Sequence, residues 1–190
     1  MTIQELFIMA NQELEKVILQ IKDDQWSMMM PPGMSRSPGN LELAVRYHTY
    51  DDAWVPDVLA GKTAEEVGDK YDYVKTEGDI LKNYKKYNYL AVDAVAGFTD
   101  LDKQTHLSYG DYPAKDYLQH IISFRAFRSY DIAKMIGIDS TMKPDFVEAL
   151  TEEYTPVIGF YRQIGVFPEP LEVAENASAQ EKLLAMVGRS

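Results

Sequence analysis

The sequence predicts an all-α protein: an antiparallel bundle of four long helices with additional helices at its C-terminal end. Three observations carry this. Apolar residues recur at steps of three and four over long stretches. Residues that start helices precede those stretches, and glycines follow them. The connections between them are short to medium, as in bundles with antiparallel neighbours.

The first helix is expected over 2–22, where Ile3, Leu6, Phe7, Leu14, Val17, Ile18 and Ile21 make one apolar face. A loop with Trp26, three consecutive methionines (Met28, Met29, Met30), Pro31, Pro32 and Gly33 follows. The methionines either pack this loop on the bundle or line a pocket. Ser37 and Pro38 lead to Asn40, the expected N-cap of a second helix over 40–59. Its inner face holds Leu41, Ala44, Val45, His48, Asp52 and Val55, and Pro56 is expected to kink or end it. Thr63-Ala64-Glu65-Glu66 is a capping box for a short helix.

A third long helix is expected over 76–98, with Ile80, Leu81, Tyr84, Tyr87, Ala91, Ala94, Val95 and Phe98 as its stripe. The loop from Asp100 to Tyr112 carries His106 and Gly110, and any sheet should be small and confined to such loops. Pro113 suits the first turn of a fourth helix ending at Gly137, with Tyr117, Leu118, Ile121, Phe124, Arg128 and Ile132 as its inner face. A fifth helix starts near Pro144, bends at Pro156 and stops at Gly165. A proline-stiffened stretch from Phe167 to Leu171 follows, and a second capping box, Ser178 to Glu181, opens a last helix ended by Gly188. No repeat or linker interrupts the chain, which reads as one domain, 1–190.

Composition excludes several function classes. The chain of 190 residues is 46% hydrophobic, enough for a real core, and carries a net charge of −11. That charge repels phosphates, and no basic cluster offsets it, so nucleic acid is not an expected partner. Cysteine is absent, which removes disulfides, thiolate metal sites and cysteine nucleophiles. No apolar stretch approaches the ~20 residues that span a bilayer. The start lacks the pattern of a secretory signal, so no membrane partner and a cytoplasmic location are expected.

The candidate chemistry is sparse. There are three histidines, His48, His106 and His120. A metal site in a bundle needs about three ligands on facing helices with one position open. His48 and Asp52 form an i,i+4 pair of ligand-type side chains, whereas His120 with Phe124, and Phe124 with Arg128, have the spacing but not two ligands. The bland reading makes His48 a buried histidine bonded to Asp52 or a tyrosine, His120 a partly exposed helix residue and His106 a loop residue. Arg128 lies on an otherwise aromatic and aliphatic face. It either snorkels to water or pairs with Asp51 or Asp52 across the bundle. No Ser-His-Asp order and no glycine-rich phosphate loop is present. Catalytic residues are therefore not assigned.

Several segments together resemble one family. Pro38-Gly39-Asn40-Leu41-Glu42-Leu43-Ala44-Val45-Arg46-Tyr47-His48 is similar to its Pro-Gly-Trp-Thr-Val-x-(Asp/Glu)-Leu-x-x-His segment, with Asn40 where tryptophan is usual. Tyr109-Gly110-Asp111-Tyr112-Pro113-Ala114 resembles the entry to its long fourth helix, and Arg128 to Gly137 resembles its His-x-Trp-Asp-Leu-Ala-x-x-x-Gly. Ala177-Ser178-Ala179-Gln180-Glu181-Lys182-Leu183-Leu184-Ala185 stands where the family reads Ala-Ser-Pro-Gln-Asp-Arg-Leu-Leu-Ala. The family is the maleylpyruvate isomerase-like branch of the DinB/YfiT-like superfamily. The resemblance implies a four-helix bundle and a divalent metal, held by one histidine on the second helix and an acid-x-x-x-His pair on the fourth. It further implies a low-molecular-weight thiol such as mycothiol or bacillithiol as co-substrate. His48 matches the first ligand. Phe124 and Arg128 stand at the other two, and neither can bind a cation.

The resemblance therefore supports the fold and implies a degenerate metal site. The first functional reading is a metal-free bundle that binds a small molecule or partner in the former active-site cavity, with Asp51, Asp52, His120, Phe124 and Arg128 as candidate cavity residues and no cofactor expected. The alternative is a zinc- or nickel-dependent transferase or isomerase using a low-molecular-weight thiol, with a site rebuilt from His48, Asp51 or Asp52, and His120. A third reading is a structural, homodimerising helical protein.

Overall fold

A computed structural model describes residues 1–31 and 39–190. Pro32, Gly33, Ser37 and Pro38 lie outside the described residues. The chain divides into two compact units, Thr2–Asp139 and Ser140–Ser190, Met1 grouping with the second. The protein is mostly helical, and its one described sheet is a two-stranded hairpin.

The first unit is built on four long helices, each started by a side chain or loop that satisfies its free amides. Helix α1, Ile3–Ile18, opens with a capping box between Thr2 and Glu5. Helix α2, Leu41–Ala60, starts at Asn40, whose side chain accepts from the Leu43 amide, and ends at Gly61 in the left-handed region with φ 87°. A one-turn helix α3, Ala64–Val67, follows from the Thr63 capping box, and a 3₁₀ turn spans Asp72–Lys75. Helix α4, Ile80–Ala96, is capped by Asp79.

Helix α5, Ala114–Ile136, has no side-chain cap. Its first amides are satisfied by the chain that leads into it: Ala114 and Lys115 donate to the carbonyls of Lys103 and Leu101 at 2.8 and 2.9 Å. Between those partners lies the hairpin, β1 Gln104–Leu107 against β2 Gly110–Pro113. Helix α2 packs chiefly on α4, and α1 on α5 and α4. Leu14, Ile18, Leu41, Val45, Tyr84 and Ile132 meet in the main core, and Ala53, Val67, Tyr71, Val74 and Tyr87 form a second cluster beside Tyr50 and Trp54.

Pro56 lies inside α2, which continues to Ala60, in line with the expected span of 40–59. Proline in a helix interior costs about 3 kcal/mol, and the burial of Val55, Val58 and Leu59 around it supplies an offset of that order. His106 lies in β1, part of a small hairpin within the loop where any sheet was expected.

The second unit follows its punctuation. Helix α6, Pro144–Tyr154, begins on proline; Pro156 separates it from α7, Ile158–Gln163. Helix α8, Ala179–Met186, starts from the Ser178–Glu181 capping box.

Candidate functional site

A layer of polar side chains crosses the middle of the four long helices. Asn11 comes from α1, His48 and Asp52 from α2, Tyr84 and Asn88 from α4, and Arg125 from α5; all six are buried. Helical spacing explains the α2 pair, since residues four apart share a face. It also explains Arg125. Leu118, Ile122, Arg125, Ser129, Ile132 and Ile136 form a stripe of three- and four-residue steps, and every one is buried.

Arg125 is the centre of this layer and is fully buried. Its Nη2 donates to Asp52 Oδ1 at 2.7 Å and to the His48 carbonyl at 3.1 Å, and its Nε reaches the same Asp52 oxygen at 3.3 Å. Its Nη1 lies 2.5 Å from His48 Nδ1 and 3.9 Å from Asp51 Oδ2. A guanidinium donates and never accepts. His48 Nδ1 must therefore be the acceptor, and the ring is the neutral tautomer with its proton on Nε2.

Electrostatics agree with that assignment. Burial, then the positive charges of Arg125 and Arg128, hold the His48 pKa well below its ordinary value. Burial raises the Asp52 carboxyl against the pull of Arg125, and the Asn88 amide beside it also favours the carboxylate. Asp52 Oδ2 has no hydrogen bond of ordinary geometry among the described residues. Arg125 is itself held charged: its burial is outweighed by Asp52 and Asp51. Tyr84 is pushed well above the usual phenol value by burial and by Asp52. Asn88 donates to Asn11 Oδ1 at 3.1 Å, which carries the layer to α1.

The sequence placed this cation one turn away. Arg128, expected to pair with Asp51 or Asp52, instead faces Asp131 at 3.8 Å, three residues along its own helix. Positions 125 and 128 differ by about 60° around the helix axis, and it is position 125 that faces α2. Asp52 is bonded to Arg125, and Asp51 sits at ion-pair distance from it. The sequence reading missed Arg125 because it followed one apolar stripe of α5. That helix is buried on most of its circumference, so the stripe through Leu118 and Ile122, which carries Arg125, looks no different in the sequence from the one that carries Arg128.

Beside the layer is a cavity of about 440 Å³. Asp51, Tyr50, Trp54 and Val58 of α2 line one wall, Tyr117, His120, Ile121 and Phe124 of α5 another, and the hairpin supplies His106 to Tyr109. Ala64, Gly68, Asp72 and Lys75 complete the rim. Of the expected cavity residues, Asp51, His120 and Phe124 line it; Asp52 lies behind it in the polar layer, and Arg128 is outside its lining. The hairpin tip is fixed to α5: Tyr109 Oη is 3.3 Å from His120 Nδ1, and the rings of Tyr109 and Tyr112 lie 5.8 and 5.0 Å from the imidazole. Asp51 is half-exposed, lines the cavity and stands at ion-pair distance from Arg125.

The donor set does not fit the family's divalent metal. Nδ1 of His48 accepts from a guanidinium, Asp52 Oδ1 is bonded to the same group, and a fixed positive charge occupies the space between them. Phe124 and Arg128 supply no lone pair. His120 Nδ1 is within hydrogen-bonding distance of Tyr109, and among the described residues no three His, Asp or Glu side chains converge as a metal site. No helix among the described residues is long and apolar enough to cross a membrane. No protein-family model, curated protein or solved structure matches the chain.

Proposed function

We propose that the chain is a DinB-like bundle in which Arg125 supplies the buried positive charge that a metal supplies in the family, and that it binds a small organic molecule in the cavity beside that charge. One observation carries the reading: Arg125 donates to His48, the residue matching the family's first ligand, and to Asp52, its i,i+4 partner. The sequence resemblance and the four long helices support the family assignment. The cavity supports ligand binding: it is of ordinary ligand size, mostly apolar and aromatic, with a few polar groups on its walls.

Such a site binds and orients. Arg125 is spent on Asp52 and His48, so its charge acts on a ligand through Asp51. Tyr117 stays a neutral hydroxyl, because burial and then Asp51 push it well above the usual phenol range. It can donate to or accept from a ligand but does not serve as a base at neutral pH.

Two measurements on protein purified without a histidine tag test this reading. Elemental analysis is expected to give zinc and nickel far below one ion per chain. A small-fragment screen by NMR is expected to move the Trp54 indole resonance. A full equivalent of zinc or nickel, lost on His48→Ala, would replace the proposal with the thiol-dependent metalloenzyme. Fragments that leave Trp54 unmoved would remove the ligand-binding half.

A further inference from the structure

The cavity rim already holds a cation on an aromatic ring. Lys75 Nζ lies 4.4 Å from the centroid of the Tyr50 ring and 2.9 Å from Asp72 Oδ1. Tyr50, Asp72 and Lys75 all line the cavity. Trp54 stands next to Tyr50, the two rings 5.9 Å apart and edge to face. An aromatic face with a carboxylate at its edge is the recognition element for an organic ammonium.

The Lys75 ammonium is a replaceable occupant. Its side chain is 27% exposed and that of Asp72 52% exposed. Ion pairs this open to solvent contribute little net stability, so releasing Lys75 to water costs little. The seat it would leave keeps its carboxylate and its ring, and the adjoining cavity offers apolar and aromatic walls for the rest of a ligand. The net charge of −11 also draws cations toward the protein.

We propose that the cavity binds an organic ammonium carrying an apolar or aromatic body, its positive end taking the place of Lys75 over Tyr50 beside Asp72. This rests on the small-molecule reading of the cavity and names the class of ligand.

The test uses three probes of similar size: phenethylammonium, phenethyl alcohol and phenylacetate, titrated at millimolar concentration into the full chain with the Trp54 indole resonance as readout. Phenethylammonium is expected to bind the tightest of the three. Lys75→Met, which removes the competing ammonium, should tighten it roughly tenfold, and Asp72→Asn should weaken it by about as much, a change of the size that a partly desolvated cation–π contact supports. The two substitutions should move phenethylammonium in opposite directions, and each should change the binding of phenethyl alcohol by much less than that of the ammonium. An anion site would respond with the opposite signs: phenylacetate binding best and lost on Lys75→Met. That result, or an ammonium indifferent to Asp72→Asn, overturns the cation assignment and leaves the small-molecule reading standing. If none of the three probes moves Trp54 in the wild type or in Lys75→Met, both fail together.

Discussion

Arg125 and Asp52 meet between α5 and α2 with an N–O distance of 2.7 Å, and both side chains are wholly buried. An ion pair in that setting is poor evidence of net stabilisation, because each charge was expensive to remove from water. It is strong evidence of mutual dependence. Whichever partner remains when the other is removed is a charge with no solvent to return to.

The first prediction follows from that dependence. Arg125→Met should cost about 3–5 kcal/mol by urea denaturation, the loss expected when one member of a buried pair is removed. Adding Asp52→Leu to it should recover most of the loss, since the pair then leaves together. Arg128→Met should cost clearly less than Arg125→Met, because its ion pair with Asp131 is long, at 3.8 Å. Equal losses at 125 and 128 would contradict the central position given to Arg125.

Stability should also fall on mild acidification, and His48 sets the window. Its folded pKa lies well below its ordinary value, through burial first and Arg125 second. Between the ordinary histidine value of ~6.5 and that lower one, the unfolded chain binds a proton that the folded chain refuses. The contribution is present in full above ~6.5 and is lost as pH falls, at up to about 1.4 kcal/mol per pH unit. Asp52 has the opposite sign: its folded pKa is raised, so its contribution favours the folded state at low pH and is lost as pH rises through that value. Urea titrations at pH 7, 6 and 5 should show the decline in the wild type and a flatter curve in His48→Gln. A wild-type curve that is flat over this range would refute the assignment.

A second acidic limb belongs to Asp57. Burial raises its carboxyl, but hydrogen bonds from Lys62, Lys70 and Tyr71 outweigh that and bring it to about 2. Its contribution is present above the ordinary aspartate value and is lost as pH falls toward about 2. Asp57→Asn should therefore remove part of the stability lost between pH ~4 and ~2 while leaving the loss between pH 7 and 5 in place.

Much of the fold was legible because its signals are local. Thr63 and Ser178 announced their helices through capping boxes, Asn40 through its side-chain oxygen, and Gly137 ends its helix with positive φ. Pro56 left open whether α2 would kink or end, and the helix runs on because its interior can absorb the loss of one backbone bond when the turns on both sides are buried. The site was only half legible. His48 and Asp52 were readable as a pair, since spacing along one helix fixes their shared face. Their partner was not, because nothing within α5 says which of its several buried stripes faces α2. That choice is made by the packing of α5 on α1 and by the docking of its first turn onto Leu101 and Lys103.

Gly188 gives a prediction for the second unit. It holds φ 72°, and a Cβ there would stand 2.4 Å from Pro168 Cγ and 3.1 Å from the Glu169 carbonyl oxygen. Gly188→Ala should destabilise by roughly 1–3 kcal/mol through left-handed strain and the clash with a rigid proline. Thermal melts of Gly188→Ala beside Gly97→Ala make the comparison, since a Cβ at Gly97 meets nothing within 4 Å. The Gly97 variant should melt like the wild type or higher, and a matching drop in both would show that the contact at Gly188 does not matter.

The claim that Arg125 fills the centre of the site is read most directly from the His48 ring. A long-range proton–nitrogen NMR spectrum of uniformly labelled protein distinguishes the two neutral tautomers and the imidazolium, and His48→Gln identifies which of the three histidine signals belongs to His48. At pH 7 the account predicts a neutral His48 with its proton on Nε2 and an unprotonated, hydrogen-bonded Nδ1, unchanged at pH 5.5 and on addition of zinc. A His48 that carries its proton on Nδ1, becomes an imidazolium at pH 5.5, or shifts on binding zinc would contradict it.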